Sequence, residues 1–227
     1  MASEGNIVTD GYRYNGAKGD IKVYNPAVEL DDEYSTSQVC LINGAYYDFE
    51  SVESGWAVNP SVYGDRQTRF FVYWTVDGSK KTGCLISLVL DLFRLAMKLL
   101  LDPVTSNWWV QYGERINVGY WPPELFVALS YHATSAEWGG EVYSSRVGTT
   151  PHTKTDMGSG HFADSVWGTS GAIRRIRIHE NSPGLKFPDI VTTLMDEFNC
   201  YNVRYLSDYV EDPEFYYGGP GRNYMCP

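Results

Sequence analysis

Two glutamates in this chain stand where carboxyl chemistry is feasible. Glu53 lies in "ESGW" and Glu141 in "EWGGEV", each close to tryptophan and glycine. Glycine lets a backbone approach a ligand closely, and tryptophan supplies a low-dielectric wall. A carboxyl group against such a wall is desolvated, which raises its pKa and keeps it protonated in acid. A second carboxyl nearby titrates with it, so that the pair can hold one proton between them. Such a pair contains a base to activate water and an acid to polarise a carbonyl. The competing reading is two surface glutamates that merely adjoin aromatics, and spacing alone does not separate the two.

Other chemistries find less support. The four histidines (His132, His152, His161, His179) form no HExxH, and no serine sits in GxSxG. "GSGHF" from Gly158 to Phe162 reads as a tight glycine turn with a loop histidine bonded to backbone. "GGPG" from Gly218 to Gly221 lacks the strand–helix context of a phosphate loop. The four cysteines have no CxxC spacing, which argues against zinc, and no cofactor is expected. Cys40 and Cys84 read as buried thiols, with pairing between them left open. Cys200 and Cys226 bracket a tail rich in glycine, proline and tyrosine, which a disulfide in an oxidising compartment would tie down.

The net charge of −10 repels phosphate backbones and anionic lipid, which argues against nucleic acid and membrane surfaces as partners. The opening "MASEGNIVTDGYRYNG" has no basic segment followed by an apolar run, so no secretory signal is expected in it.

The elements that must position the glutamates are strands. "DIKVY", "SQVCLI", "TRFFVYWTV", "NWWVQYG", "EVYSS", "AIRRIRIHE" and "EFYY" are short apolar or alternating runs broken by turn signals such as Asn43-Gly44 and Asp77-Gly78. Ile173, Ile176 and Ile178 break strict alternation, which predicts a bulge near Arg174-Arg175. "PPELFVALSY" reads as a short helix started by proline. With 227 residues and no linker or repeat, the chain is expected to be one all-β domain, a β-sandwich or jelly roll. One stretch differs. "LISLVLDLFRLAMKLLL", from Leu85 to Leu101, is apolar except for Ser87, Asp91, Arg94 and Lys98, which fall on one stripe of a helix. Asp102-Pro103 ends it. An inserted helix at about 85–101, buried or covered by a partner and not spanning a membrane, is expected.

The runs "VESGWAVNPSVYGDRQTRFFVYWTVDG", "NWWVQYG", "VGYWPPELF", "EWGGEVYSS", "TDMGSGHF" and "FYYGGPGRNYMCP" resemble, in order, the catalytic domain of the neprosin family. Neprosins are plant glutamic peptidases, prolyl endopeptidases that act at low pH. The resemblance implies a sandwich of two antiparallel sheets and peptide-bond hydrolysis without metal or covalent intermediate. By motif, Glu53 and Glu141 match the catalytic pair, with Glu53 as base and Glu141 as oxyanion partner or the reverse; Glu137 is the lesser candidate. It further implies a Cys200–Cys226 disulfide and an extracellular location. Trp56, Trp74 and Trp138 are candidates for the apolar walls around a substrate proline, against the alternative that they pack in the core.

The chain departs from that family pattern in two places. Family members usually carry a secretion signal and an inhibitory propeptide; here residues 1–10 read as a remnant before a catalytic domain at 11–227. The apolar stretch replaces a second cysteine and the turns and strands that follow it. One or two strands are therefore expected to be missing, with the helix plugging the gap. An acid-acting peptidase is the leading reading, and an inactive or misspliced sandwich serving as a binding module is the alternative.

Overall fold

The structure is a computed structural model that describes residues 1–227 apart from 46, 84, 85, 90–93, 114, 165–167, 181–183 and 208–210, with 86–89 as backbone. Fifteen strands lie among the described residues. In chain order they are β1 (Ala2–Tyr14), β2 (Gly16–Lys22), β3 (Tyr34–Ala45), β4 (Asp48–Val58), β5 (Arg69–Thr75), β6 (Ile86–Val89), β7 (Arg94–Leu101) and β8 (Trp108–Tyr112). They continue with β9 (Ile116–Trp121), β10 (Ala133–Tyr143), β11 (Gly171–His179), β12 (Leu185–Lys186), β13 (Thr192–Met195), β14 (Asn202–Leu206) and β15 (Glu214–Gly218). One helical turn, α1 (Pro60–Tyr63), is capped by Asn59, and a 3-10 turn spans Pro123–Leu125 where the proline signal predicted a short helix.

The strands build two antiparallel sheets. The first runs β13-β1-β10-β3-β4-β5-β6, and the second runs β14-β15-β11-β2-β7-β8-β9 with β12 paired on β11. This is the two-sheet sandwich expected from the short, turn-broken runs. Their inner faces meet in one hydrophobic cluster. Ile7, Val39, Leu41, Val52, Trp56 and Trp138 enter it from the first sheet, and Ile21, Leu95, Met97, Leu99, Trp108 and Ile173 from the second. Two indoles cross the whole core: Trp56 Nε1 donates to the Lys22 carbonyl at 3.0 Å, and Trp138 Nε1 to the Lys18 carbonyl at 3.0 Å. Both acceptors lie on β2, in the opposite sheet. Gly19 between them is required, since a Cβ there would sit 2.9 Å from the Trp138 ring.

The bulge predicted near Arg174-Arg175 is present. The β11–β2 register shifts between Arg174 and Arg177, and Arg175 has φ 51°. The shift lets Ile173, Ile176 and Ile178 all point inward despite their spacing. The turn expected at Asn43-Gly44 falls later, because β3 pairs with β4 as far as Ala45.

The expected helix at about 85–101 is not formed. Residues 86–89 are an edge strand beside β5, and 94–101 are an interior strand between β2 and β8. Leu95, Met97, Leu99 and Leu101 are buried while the even positions between them are not, a period of two. Arg94 and Lys98 are four apart, a spacing compatible with a helical stripe and equally with one face of a strand. That ambiguity produced the error. Cys84 and Asp91 lie outside the described residues, so the Cys40–Cys84 pairing does too; Cys40 is a buried free thiol. The strand deficit expected from the family pattern is met by two strands drawn from the same stretch, one for each sheet. Among the described residues no helix is long and apolar enough to cross a membrane.

Residues 2–10, expected as a remnant, form most of β1, between β10 and β13. The tail is fixed by the Cys200–Cys226 disulfide, with Cα atoms 5.3 Å apart, and by Arg222 N–H donating to the Thr153 carbonyl.

The strand assignment of 94–101 makes a parity prediction. Leu99→Ala should cost about 2–5 kcal/mol in denaturant unfolding. Leu100→Ala, on the outer face, should cost about 1 kcal/mol or less. Equal costs at the two positions would contradict the strand.

Candidate active site

The outer face of the first sheet carries what the core rejects. Side chains alternate along each strand, so residues next to the buried Val52, Trp56, Trp138 and Val142 must face away from the core. Glu53, Glu137 and Glu141 occupy such positions, and so does Glu4 on β1. All four carboxyl groups line a single cavity of about 410 Å³.

The register arranges this face in rows. Glu137, Cys40, Glu53 and Tyr73 pair directly across β10, β3, β4 and β5. Two residues along, Asn6, Gly139, Gln38, Gly55 and Phe71 form the next row. Two further along, Glu4, Glu141, Thr36 and Ala57 form a third. Glu53 and Glu141 therefore lie in the outer rows, at opposite diagonal corners around Gln38. Each is one diagonal step of about 7–8 Å from it, within reach of long side chains.

Each carboxyl has its own partner. Ser51 Oγ donates to Glu53 at 2.6 Å, and the Cys40 thiol also donates to it. The Tyr34 hydroxyl donates to Glu141 at 2.6 Å, and its ring stacks on Tyr143 at 5.2 Å. Asn6 Nδ2 donates to Glu4 at 3.2 Å.

The tryptophan assignments need correction. Trp56 and Trp138 are fully buried and face the core, as Trp74 does in its pairing with Val52; none of the three lines the cavity. The reason is parity: Trp56 is three residues from Glu53, and Trp138 is three from Glu141. An odd spacing in a strand puts the two on opposite faces. The apolar lining comes instead from Ile42, Phe49, Val62, Phe71 and Tyr73. Sequence reasoning missed Glu4, Asn6, Tyr34 and Gln38. Their signal was polar alternation in "SEGN" and "YSTSQVC", which is weak without knowing that these segments pair.

The Neprosin family profile matches residues 31–89 and 90–220, two segments that meet inside the apolar stretch. The chain belongs to the neprosin family. The neprosin match begins after β1 and β2, so Glu4 and Asn6 lie outside it. The fold is also that of solved glutamic peptidases. A structure of scytalido-glutamic peptidase with a transition-state analogue inhibitor superposes with TM-score 0.58 at 10% identity, covering 96% of this chain and 98% of that one. SCP-B, a member of the Eqolisin family in complex with the tripeptide Ala-Ile-His, superposes with TM-score 0.52 at 10% identity, covering 96% and 98%.

In this neprosin-family cleft every glutamate is held above the ordinary carboxyl range. Burial is the main cause throughout. It raises Glu53, whose hydrogen bonds from Ser51 and Cys40 oppose it while the charge of Glu4 adds to it. It raises Glu141, opposed by Tyr34 and reinforced by the charge on Glu53. Glu4 is pushed up to about 7 by burial and then by Glu141 and Asp196. Glu137 is pushed up to about 7 by burial and then by Glu4 and Glu53. Cys40 is raised by burial and by Glu53, so it stays a neutral donor. Among the described residues one group with metal-ligand spacing lies away from the cleft. His152, Cys200 and Cys226 offer ligand atoms within 4.8 Å of one another, but both sulfurs are in the disulfide and His152 Nε2 meets Glu197 at 2.6 Å.

Away from the cleft, Glu33 shows the opposite behaviour. Burial alone would raise it, but hydrogen bonds from Thr155, Ser144, Thr153 and Arg146 hold it at about 2. The two directions fix where the fold is most stable. Glu33 contributes stability that is present above its unfolded value of 4.5 and is lost as pH falls through about 2. Glu4 and Glu137 hold protons in the fold that the unfolded chain releases above 4.5, so stability falls as pH rises from 4.5 to about 7. The thermal midpoint is therefore expected to peak near pH 4.5 and to decline towards neutrality, and Glu137→Gln should flatten that decline. A midpoint that rises steadily from pH 4.5 to 7 would contradict the cleft electrostatics.

Proposed function

We propose that this chain is an acid-acting glutamic endopeptidase that cleaves peptide bonds at proline with Glu53 and Glu141. The carrying observation is the placement of these two carboxyls on one cavity, both desolvated and with the charge of one raising the other. Glu53 has two side-chain donors, Ser51 and Cys40, set against the charge of Glu4; Glu141 has Tyr34 and the N-terminal amine, set against the charge of Glu53. Glu53, with the two side-chain donors, is taken as the base and Glu141 as the acid. Glu53 takes a proton from water, and the hydroxide attacks the scissile carbonyl carbon while Glu141 gives its proton to the carbonyl oxygen. The C–N bond of the resulting gem-diol then breaks. Glu53 passes its proton to the leaving amine, and a gem-diol hydroxyl returns one to Glu141, restoring the pair.

Proline selection is supported by the family and by the apolar side of the cavity, where Phe49, Val62, Phe71 and Tyr73 offer walls for a pyrrolidine ring. An oxidising, extracellular setting is supported by the Cys200–Cys226 disulfide.

A proline-containing peptide incubated between pH 3 and 5 should be hydrolysed on one side of proline. Glu53→Gln and Glu141→Gln should each lower kcat by about 10²–10⁴ while the protein remains folded. Turnover that survives either substitution overturns the assignment of that residue. A folded wild-type chain without turnover would favour the binding-module reading.

A further inference from the structure

The middle row of the cleft contains a group that the proposed reaction does not use. Gln38 is nine-tenths buried and lines the cavity, yet its Oε1 is buried without a hydrogen-bond partner among the described residues. Leaving such an acceptor unsatisfied costs about 1–3 kcal/mol, and one that lines an open cavity is placed where a ligand can complete it. Its surroundings point the same way. Gly139 and Gly55 flank Gln38 directly on β10 and β4, so neither of its immediate neighbours in the row carries a side chain. A Cβ on Gly55 would lie 1.8 Å from the Ser37 carbonyl, and one on Gly139 would lie 2.3 Å from the Gly5 carbonyl. These two positions cannot acquire side chains without moving their neighbouring strands. In the same row Asn6 Oδ1 is also buried and unpartnered, and Asn6 Nδ2 is committed to Glu4.

We infer that Gln38 is the residue that grips the substrate backbone between the two glutamates. A carboxamide offers one acceptor and two donors, the complement of a peptide group. An extended peptide entering the cleft presents an N–H to Oε1, and its carbonyl can accept a hydrogen bond from Nε2. On the β4 side Gly55 leaves room for main chain, while on the β10 side the Asn6 amide lies over Gly139, its Oδ1 2.1 Å from where a Cβ would be. Because Gln38 stands one diagonal step from both Glu53 and Glu141, a peptide held there has its scissile carbonyl between base and acid. Asn6 extends the grip along the same row towards β1. Gln38 is a positioning residue: it fixes the peptide and transfers no proton in the reaction.

This inference rests on the glutamate-pair reading, and kinetics separate the two. Gln38→Met keeps the volume and removes the amide, and Gln38→Leu provides a second variant should the first fold poorly. Each is compared with wild type and with Glu53→Gln for kcat, KM and Tm. A reduced-amide analogue of the substrate peptide, which is not cleaved, reports affinity directly. Loss of a peptide hydrogen bond should raise KM and weaken the analogue by about tenfold. Tm should be unchanged or higher, since an unsatisfied buried acceptor has been removed. Unchanged KM and analogue affinity in both variants overturn the inference. A fall in Tm with KM unchanged would mark Gln38 as a structural residue and overturn it equally. Activity retained by Glu53→Gln would instead defeat the glutamate pair, and the analogue titration would still test Gln38.

Discussion

The arrangement depends on the two-residue period of β3, β4 and β10, the three central strands of the first sheet. On β4 and β10 the inward positions hold Trp56 and Trp138, whose indoles cross the core and donate to carbonyls of β2. Those bonds couple the two sheets and fix which face of each strand is buried. Once the indoles point inward, Glu53 and Glu141 have no choice but to point outward. A slip of one residue would bury the carboxyls and expose the indoles, each change being strongly unfavourable. The tryptophans that adjoin the glutamates in sequence thus act on them from behind, through register.

That constraint has an electrostatic consequence. Register gathers four carboxyls on one wall, and among the described residues no basic side chain lines the cavity to offset them. Charging all four would place like charges together in a partly dry site. Protonation relieves the repulsion, so the cleft and an acidic environment suit each other. Glu33, with its four donors, shows that the same chain also builds carboxylates that remain ionised well into acid. The fold thus holds carboxyls of both kinds: Glu33 is kept ionised by its donors, and the four in the cleft are raised by burial.

Much of this was legible in the sequence, for identifiable reasons. The strands at 37–42, 68–76, 107–113, 172–180 and 214–217 announced themselves by apolar runs between turn residues, and the bulge in β11 by three isoleucines out of phase. Glu53 and Glu141 stood out by their neighbours. What escaped was whatever depended on pairing. Glu4 fell within residues 1–10, read as a remnant, because β1 has meaning only beside β10. Gln38 sat in an ordinary strand motif until Gly139 and Gly55 were known to flank it. The tryptophans were judged by proximity in sequence, where parity decides the face.

The apolar stretch was misread because hydrophobicity on both faces of a segment erases the contrast between periods of two and 3.6. Its tertiary setting resolves the choice. β7 is interior in the second sheet, so its inward residues meet the core and its neighbours need a strand with full backbone pairing on both sides. A helix there would leave the facing edges of β2 and β8 without partners. β6, from the same stretch, covers the edge of β5 next to Phe71, whose partner is Ser87. The segment where the family match divides therefore closes both sheets and carries none of the four glutamates. The stretch meets the strands of the cleft in two places: β6 pairs with β5, and β7 packs across the core against β3 and β4.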